Sequence, residues 1–213
     1  MNANATQQHD LFDAAAALPE GFVYRPEFLT RDEEAALIES IRELPFTGAQ
    51  YKQFTARRRT VSYGGKYDFS RNRLEAAPEL PQFLYPLRDK VAEWAGIDTR
   101  QFVHALVTEY QPGTPLGWHR DVPDFEIVVG VSLAGRARMR FRPYRPGEKQ
   151  RRQDTILLEL EPRSAYIMRD AARWGWQHCI SETKELRYSI TFRTSRENDP
   201  RRFSAPLRAQ RRA

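Results

Sequence analysis

A mainly β fold with flanking helices, built on a sandwich or jelly roll, is what the sequence predicts. Six short apolar or alternating runs follow one another between turn residues, at 103–110, 127–133, 138–141, 156–160, 165–168 and 186–192. Helical periodicity is confined to two segments before residue 100. With 213 residues, 40% of them hydrophobic and 12% aromatic, the chain suffices for one sizeable core rather than two.

In chain order, residues 1–20 are polar and Ala-rich without a strong period, and are expected to form a disordered leader. Gly21-Phe22-Val23-Tyr24 reads as a short strand. Thr30 and Glu33 make a capping-box pair ahead of Leu37, Ile38, Ile41 and Leu44, which predicts a helix over 30–44 stopped by Pro45. From 46 to 70, basic, aromatic and glycine residues alternate without a helical period, as in a hairpin or loop. A second helix is expected after Glu79, with Phe83, Leu84, Leu87, Val91 and Trp94 on one face and Gly96 as its C-terminal stop. The six strands follow. Beyond them, residues 196–213 carry six arginines among polar residues and are expected to form a basic tail. No repeat or linker interrupts 21–195, so a single domain is expected, with helices and a lid over 21–100 and the β core over 101–195.

Composition narrows the functional classes. No window approaches the roughly 18 apolar residues of a membrane span, and the N-terminus lacks a basic-then-apolar signal pattern, so a cytoplasmic protein without a membrane partner is expected. The single cysteine, Cys179, allows neither an intrachain disulfide nor a multi-thiolate zinc site, and a metal here would need imidazole and carboxylate ligands. A net charge of +6 raises the prospect of a polyanionic partner without deciding it.

The chain has four histidines, at 9, 104, 119 and 178. In Trp118-His119-Arg120-Asp121, an imidazole and a carboxylate two residues apart project to the same side of a strand or loop. Alone, this spacing also describes an ordinary loop histidine beside a carboxylate. His178 lies late in the strand-rich half, and nine residues on begins Arg187-Tyr188-Ser189-Ile190-Thr191-Phe192-Arg193. On a strand, Arg187, Ser189, Thr191 and Arg193 share one face, while Tyr188, Ile190 and Phe192 share the other. Two arginines facing inward are costly unless an anion pairs with them; otherwise this is the outer face of a barrel strand. Two histidines, an aspartate and two arginines together fit a 2-His-1-carboxylate facial triad with an open face for a dicarboxylate.

This combination resembles the AlkB family of Fe(II)- and 2-oxoglutarate-dependent dioxygenases of the bacterial alkylated-DNA repair type, whose signature is His-x-Asp, a distal His and Arg-x5-Arg. The resemblance runs over about residues 22–194. It implies a double-stranded β-helix (jelly-roll) core under an N-terminal nucleotide-recognition lid, with Fe(II), 2-oxoglutarate and O2 as cofactor and co-substrates. His119, Asp121 and His178 would be the catalytic iron ligands. Arg187 would pair with the distal carboxylate of 2-oxoglutarate, and Arg193 would be its companion near the keto-acid end. Tyr110 matches a tyrosine that hydrogen-bonds the co-substrate, and Thr108 stands where the family often has asparagine.

On the substrate side, Arg58-Arg59-Thr60-Val61-Ser62-Tyr63-Gly64 and Tyr67-Asp68-Phe69-Ser70 are similar to the family's nucleotide-recognition segment. The resemblance implies that Phe69 and His119 sandwich a flipped base, with Arg58, Tyr63 and Tyr67 as further contacts. Aromatic stacking is worth about 1–3 kcal/mol per base and arginines serve phosphates, although lid packing and solvation would use the same residues. Trp118 is a candidate substrate contact or a core residue beside the metal. Asp124, separated from Asp121 by Val122 and Pro123, is a candidate for the base's exocyclic amine. Arg136, Arg138, Arg140 and Arg142 alternate with Ala137, Met139 and Phe141, an all-arginine face expected to bind a polyanion. The implied reaction, carried out by a monomer, is oxidative dealkylation of methyl or etheno bases in alkylated DNA, a repair function. The alkyl carbon is hydroxylated with 2-oxoglutarate and O2, releasing succinate, CO2 and an aldehyde. The same chemistry on RNA or tRNA bases or on a protein side chain, and a non-catalytic nucleic-acid-binding jelly roll, are the alternatives.

Overall fold

The alternation along the late strands becomes two antiparallel sheets packed face to face. The computed structural model describes residues 17–51, 54–68, 73–148, 151 and 154–196. In order, its elements are β1 (Phe22–Arg25), α1 (Arg31–Arg42), β2 (Thr47–Tyr51), β3 (Phe54–Tyr63), β4 (Gly65–Asp68), β5 (Arg73–Ala76), α2 (Tyr85–Ala95), β6 (Phe102–Tyr110), β7 (Leu116–His119), β8 (Phe125–Ala134), β9 (Ala137–Pro143), β10 (Ile156–Leu160), β11 (Ala165–Met168), α3 (Asp170–Trp174), β12 (Trp176–Ile180) and β13 (Arg187–Ser195). The larger sheet runs β1-β11-β8-β13-β6-β3-β2, the smaller β10-β9-β12-β7, and β4 and β5 form a separate hairpin.

Both predicted helices are present. Thr30 caps α1: its Oγ1 accepts from the Glu33 N–H at 3.1 Å and Glu33 Oε2 accepts from the Thr30 N–H at 2.8 Å. Such a cap contributes about 1 kcal/mol. The second helix starts later than expected, because the 3-10 turn Gln82–Leu84 precedes it, and it stops at Gly96, whose φ of 68° is left-handed. Leu37, Ile41, Leu84, Leu87 and Val91 of the helices pack on Val107, Val129, Val131, Ile190 and Phe192 of the larger sheet. A second apolar cluster lies between the sheets, joining Phe22, Val128 and Met168 to Met139, Phe141, Leu160 and Ile180.

All six predicted strands appear, and the described residues of 46–70 form β2, β3 and β4, of which β3 pairs with β6. Three strands were not expected: β5, β7 and β12, of four, four and five residues. Each is too short to show a period, and β7 and β12 each carry a histidine with a bulky aromatic close by. Phe22 N–H donates to the Pro19 carbonyl as the chain enters β1. The remaining leader, up to residue 16, and the tail from 197 lie outside the described residues. Among the described residues no helix is long and apolar enough to cross a membrane.

Candidate metal centre

Strand alternation and one register pair build the site. His119 of β7 stands directly opposite His178 of β12, and both face the space between the sheets, with ring centroids 4.2 Å apart. Asp121, just past the end of β7, completes a cluster whose ligand atoms all lie within 4.8 Å of one another. Each ligand is aimed. His119 Nδ1 lies 2.8 Å from the Gly117 carbonyl oxygen, so with its proton there Nε2 is left for a metal. Asp121 Oδ1 accepts from Arg193 Nε at 3.0 Å and Nη2 at 2.9 Å, which turns Oδ2 toward His178 Nε2, 3.8 Å away.

Electrostatics favour the same set. Burial alone would raise the Asp121 carboxyl, but the Arg193 guanidinium, with His178 and His119, holds it well below the usual carboxylate range. Burial presses the His178 imidazole down to about 3, the charge on His119 adding to this and Asp121 opposing it. Burial likewise lowers His119 against the pull of Asp121. Two neutral imidazoles and one carboxylate at pH 7 are the donors that Fe(II) takes in a facial triad.

This arrangement predicts an acid-sensitive metal-free protein. An unfolded histidine takes up its proton near pH 6.5, whereas His178 in the fold resists until about 3, so stability is full above that range and falls as pH drops through it. At pH 5 the loss from His178 alone is on the order of 2 kcal/mol, and the depressed Asp121 adds to it only below about pH 4. Urea unfolding of the metal-free protein at pH 7, 6 and 5 measures this; an unchanged midpoint would contradict it.

The inner face of β13 continues away from the metal as Thr191, Ser189 and Arg187, all buried. Arg193 Nη1 donates to Thr191 Oγ1 at 2.8 Å and to His104 Nδ1 at 3.2 Å, so this arginine is already satisfied by the protein. Burial, then the charge on Arg193, lowers the His104 pKa well below the ordinary histidine value, which keeps the ring a neutral acceptor. Arg187 differs. It is 2% exposed, its Nε donates to Ser132 Oγ at 3.0 Å, its Cζ lies 5.0 Å from the centre of the Tyr110 ring, and its Nη1 has no partner among the described residues. A buried guanidinium with a free N–H is costly unless an anion meets it. Thr108, opposite Ser189 in the register, adds a buried hydroxyl beside it. A dicarboxylate reaching from the triad to Arg187 fits this polar floor.

The substrate-side candidates are placed in different surroundings. Arg58 is half-buried on the face of β3 shared with Thr60 and Ser62, and its positive charge is felt by His119. Tyr63 turns the other way and is buried in the helix-side core. Asp124 is buried at the turn into β8. Trp118 projects from β7 opposite to His119, onto the outer face of the smaller sheet, where the Arg142 and Arg140 guanidinium carbons lie 4.3 and 5.4 Å from its ring centre. Tyr67 lies in β4, and nothing is described of its side chain; Phe69 lies outside the described residues. The arginine face of β9 is real but partly neutralised: Arg136 pairs with Glu161 and Arg138 with Glu159, leaving Arg140 and Arg142 on Trp118.

Ser132, Arg173 and Tyr166 escaped the sequence reading. Ser132 is the small polar residue in an otherwise apolar run, on the inner parity of β8, a signal that was present. Arg173, 1% exposed on α3, donates through Nη2 to the Val122 and Phe125 carbonyls at 2.6 and 2.8 Å and so pins the loop that carries Asp121. Nothing in local sequence distinguishes it from the many surface arginines.

A jelly roll that gathers His, Asp and His beside two buried arginines defines a class, the mononuclear non-haem iron oxygenases that consume a 2-oxo acid. The family model described as the 2OG-Fe(II) oxygenase superfamily matches residues 21–204, and the chain belongs to that superfamily, with Fe(II), 2-oxoglutarate and O2 as cofactor and co-substrates. Within it, the chain is similar to AlkB homologues. Uncharacterized protein L905 of Acanthamoeba polyphaga mimivirus is 26% identical over 186 residues, 81% of this chain and 84% of that protein. The Alkylated DNA repair protein ALKBH8 homolog of Arabidopsis thaliana is 27% identical over 208 residues, 87% of this chain but 58% of that protein. The tRNA (carboxymethyluridine(34)-5-O)-methyltransferase ALKBH8 of Mus musculus is 25% identical over 174 residues, 79% of this chain and 25% of that protein. Among solved structures, OsALKBH1 matches with a TM-score of 0.65 and 18% identity over 84% of this chain and 100% of that chain, which establishes the shared fold.

Proposed function

We propose that this oxygenase removes alkyl groups from N-alkylated bases in nucleic acid, with alkylated DNA as its substrate and repair as its role. The observation that carries this reading is the cationic and aromatic character of the residues on either side of the strand that carries His119, with Arg58 on the inner side and the Trp118 cluster on the outer face of the smaller sheet. Arg58 stands near His119, Trp118 lies against Arg140 and Arg142, and the Arg120 guanidinium sits 3.6 Å from the centre of the Tyr144 ring. Guanidinium groups interleaved with aromatic rings suit phosphates and unstacked bases.

In this reading His119, Asp121 and His178 would hold the iron, which with 2-oxoglutarate and O2 supplies the oxidation of a C–H bond, leaving succinate and CO2. The protein's own residues do the positioning. Gly117 fixes the His119 ring, Arg193 turns the Asp121 carboxylate, and Arg187 receives the distal carboxylate of the co-substrate. Phe22, Phe141 and Met139 close the space between the sheets against water. Arg58 offers a charge for a phosphate at the mouth, and Phe69 from the lid would stack on the extruded base against His119. A hydroxylated carbon attached to nitrogen then releases an aldehyde and restores the base. Methylated and etheno-modified DNA and RNA oligomers, incubated side by side with and without 2-oxoglutarate, test the proposal. Aldehyde release from a DNA oligomer that requires 2-oxoglutarate is the expected result. Turnover of RNA alone would move the substrate to RNA, a reading favoured by the tRNA-directed name of the mouse relative. Turnover of neither, with 2-oxoglutarate still consumed, would end the nucleic-acid assignment.

A further inference from the structure

Tyr166 faces the same polar floor. On β11 its neighbours Ala165 and Ile167 belong to the helix-side core, so Tyr166 points between the sheets. It is paired in register with Gly130 of β8, which is paired in turn with Thr191 of β13. A Cβ built on Gly130 would lie 2.3 Å from Tyr166 Cζ and 2.5 Å from its hydroxyl oxygen. The phenol end therefore lies directly over Gly130, and only glycine leaves it room. Thr191 sits between Arg187 and Arg193 on the strand face, and Ser132, the partner of Arg187 Nε, is two residues from Gly130 on the same face.

The ring is held from the other side as well. It stacks on Phe22 at 5.5 Å and 16°, and Phe22 meets Phe141 edge-on at 4.8 Å. Its hydroxyl has no hydrogen-bond partner among the described residues. Burial, with the Asp121 charge behind it, raises the phenol pKa while Arg187 and Arg193 oppose, so the group stays a protonated donor across the working pH range.

We propose that Tyr166 is a co-substrate-binding residue, whose hydroxyl and the open Nη1 of Arg187 together grip the distal carboxylate of 2-oxoglutarate, with Gly130 present to admit the phenol. The inference rests on Arg187 being the arginine that meets that carboxylate. Isothermal titration of 2-oxoglutarate into the Mn(II)-loaded protein tests it directly, without turnover. Tyr166→Phe keeps the ring over Gly130 and removes one oxygen. The hydrogen bond is charge-assisted, so the dissociation constant is expected to rise about tenfold or more. Metal affinity and melting temperature are expected to stay as in wild type. A 2-oxo acid lacking the distal carboxylate, 2-oxobutyrate, should bind wild type and variant alike. Unchanged 2-oxoglutarate binding in Tyr166→Phe, with Arg187→Gln weakened, would overturn the role of Tyr166 alone. Unchanged binding in both would overturn the co-substrate pocket and this inference with it, and a loss of metal affinity or melting temperature in Tyr166→Phe would show the hydroxyl to be structural.

Discussion

Asp121→Ala is expected to lower succinate formation at least about a thousandfold, the equivalent of some 4 kcal/mol. Two losses combine. The only anionic ligand of the cluster disappears, leaving two neutral imidazoles to hold a divalent ion. Arg193, which gives two of its hydrogen bonds to Asp121 Oδ1, is also left with an uncompensated charge in a buried face. Asp121→Asn keeps an oxygen that can accept from Arg193 but, like alanine, leaves the guanidinium charge uncompensated. That variant should lose less stability than Asp121→Ala and still fail to turn over 2-oxoglutarate. Normal turnover in either variant with iron retained would contradict the ligand assignment.

Arg187→Ala is expected to act on the co-substrate and not on the metal. The guanidinium is buried, holds Ser132 with one nitrogen and leaves Nη1 open. Truncating one partner of a buried, hydrogen-bonded ion pair costs about 2–5 kcal/mol, so the KM for 2-oxoglutarate should rise about a hundredfold or more. Metal binding should remain, since no atom of Arg187 touches the triad. Steady-state kinetics over a wide 2-oxoglutarate range, beside a metal titration, checks both halves; a KM within threefold of wild type would remove Arg187 from the pocket.

The sequence was most legible where a period runs long. Arg187 to Arg193 alternates over seven residues, and the structure puts Tyr188, Ile190 and Phe192 in the core and the arginines inside the roll. Thr30 and Glu33 announced α1 because a capping box is a local device with a fixed spacing. Where elements are short, sequence is silent. β7 and β12 carry two residues of the metal cluster yet have too few residues to display alternation, so His119 and His178 were legible through their chemistry rather than their strand. Tyr63 shows the opposite failure: it lies in a segment similar to a nucleotide-recognition stretch, but its parity on β3 sends it into the helix-side core. Trp118 likewise takes the face of β7 that His119 does not. Arg136 and Arg138 looked like free charge because their partners, Glu161 and Glu159, come from more than 20 residues away. Arg193 was expected near the keto-acid end; its guanidinium holds Asp121, a pairing across 72 residues that only the fold brings together.

Equilibrium metal binding is the most direct test of the centre. Dialysis of the wild-type chain and of its Asp121→Ala and His178→Ala variants against Mn(II), with the fold of each checked by circular dichroism, should give one bound ion per wild-type chain and none in either variant. A full equivalent retained by both folded variants would place the metal elsewhere and contradict the site built on His119, Asp121 and His178.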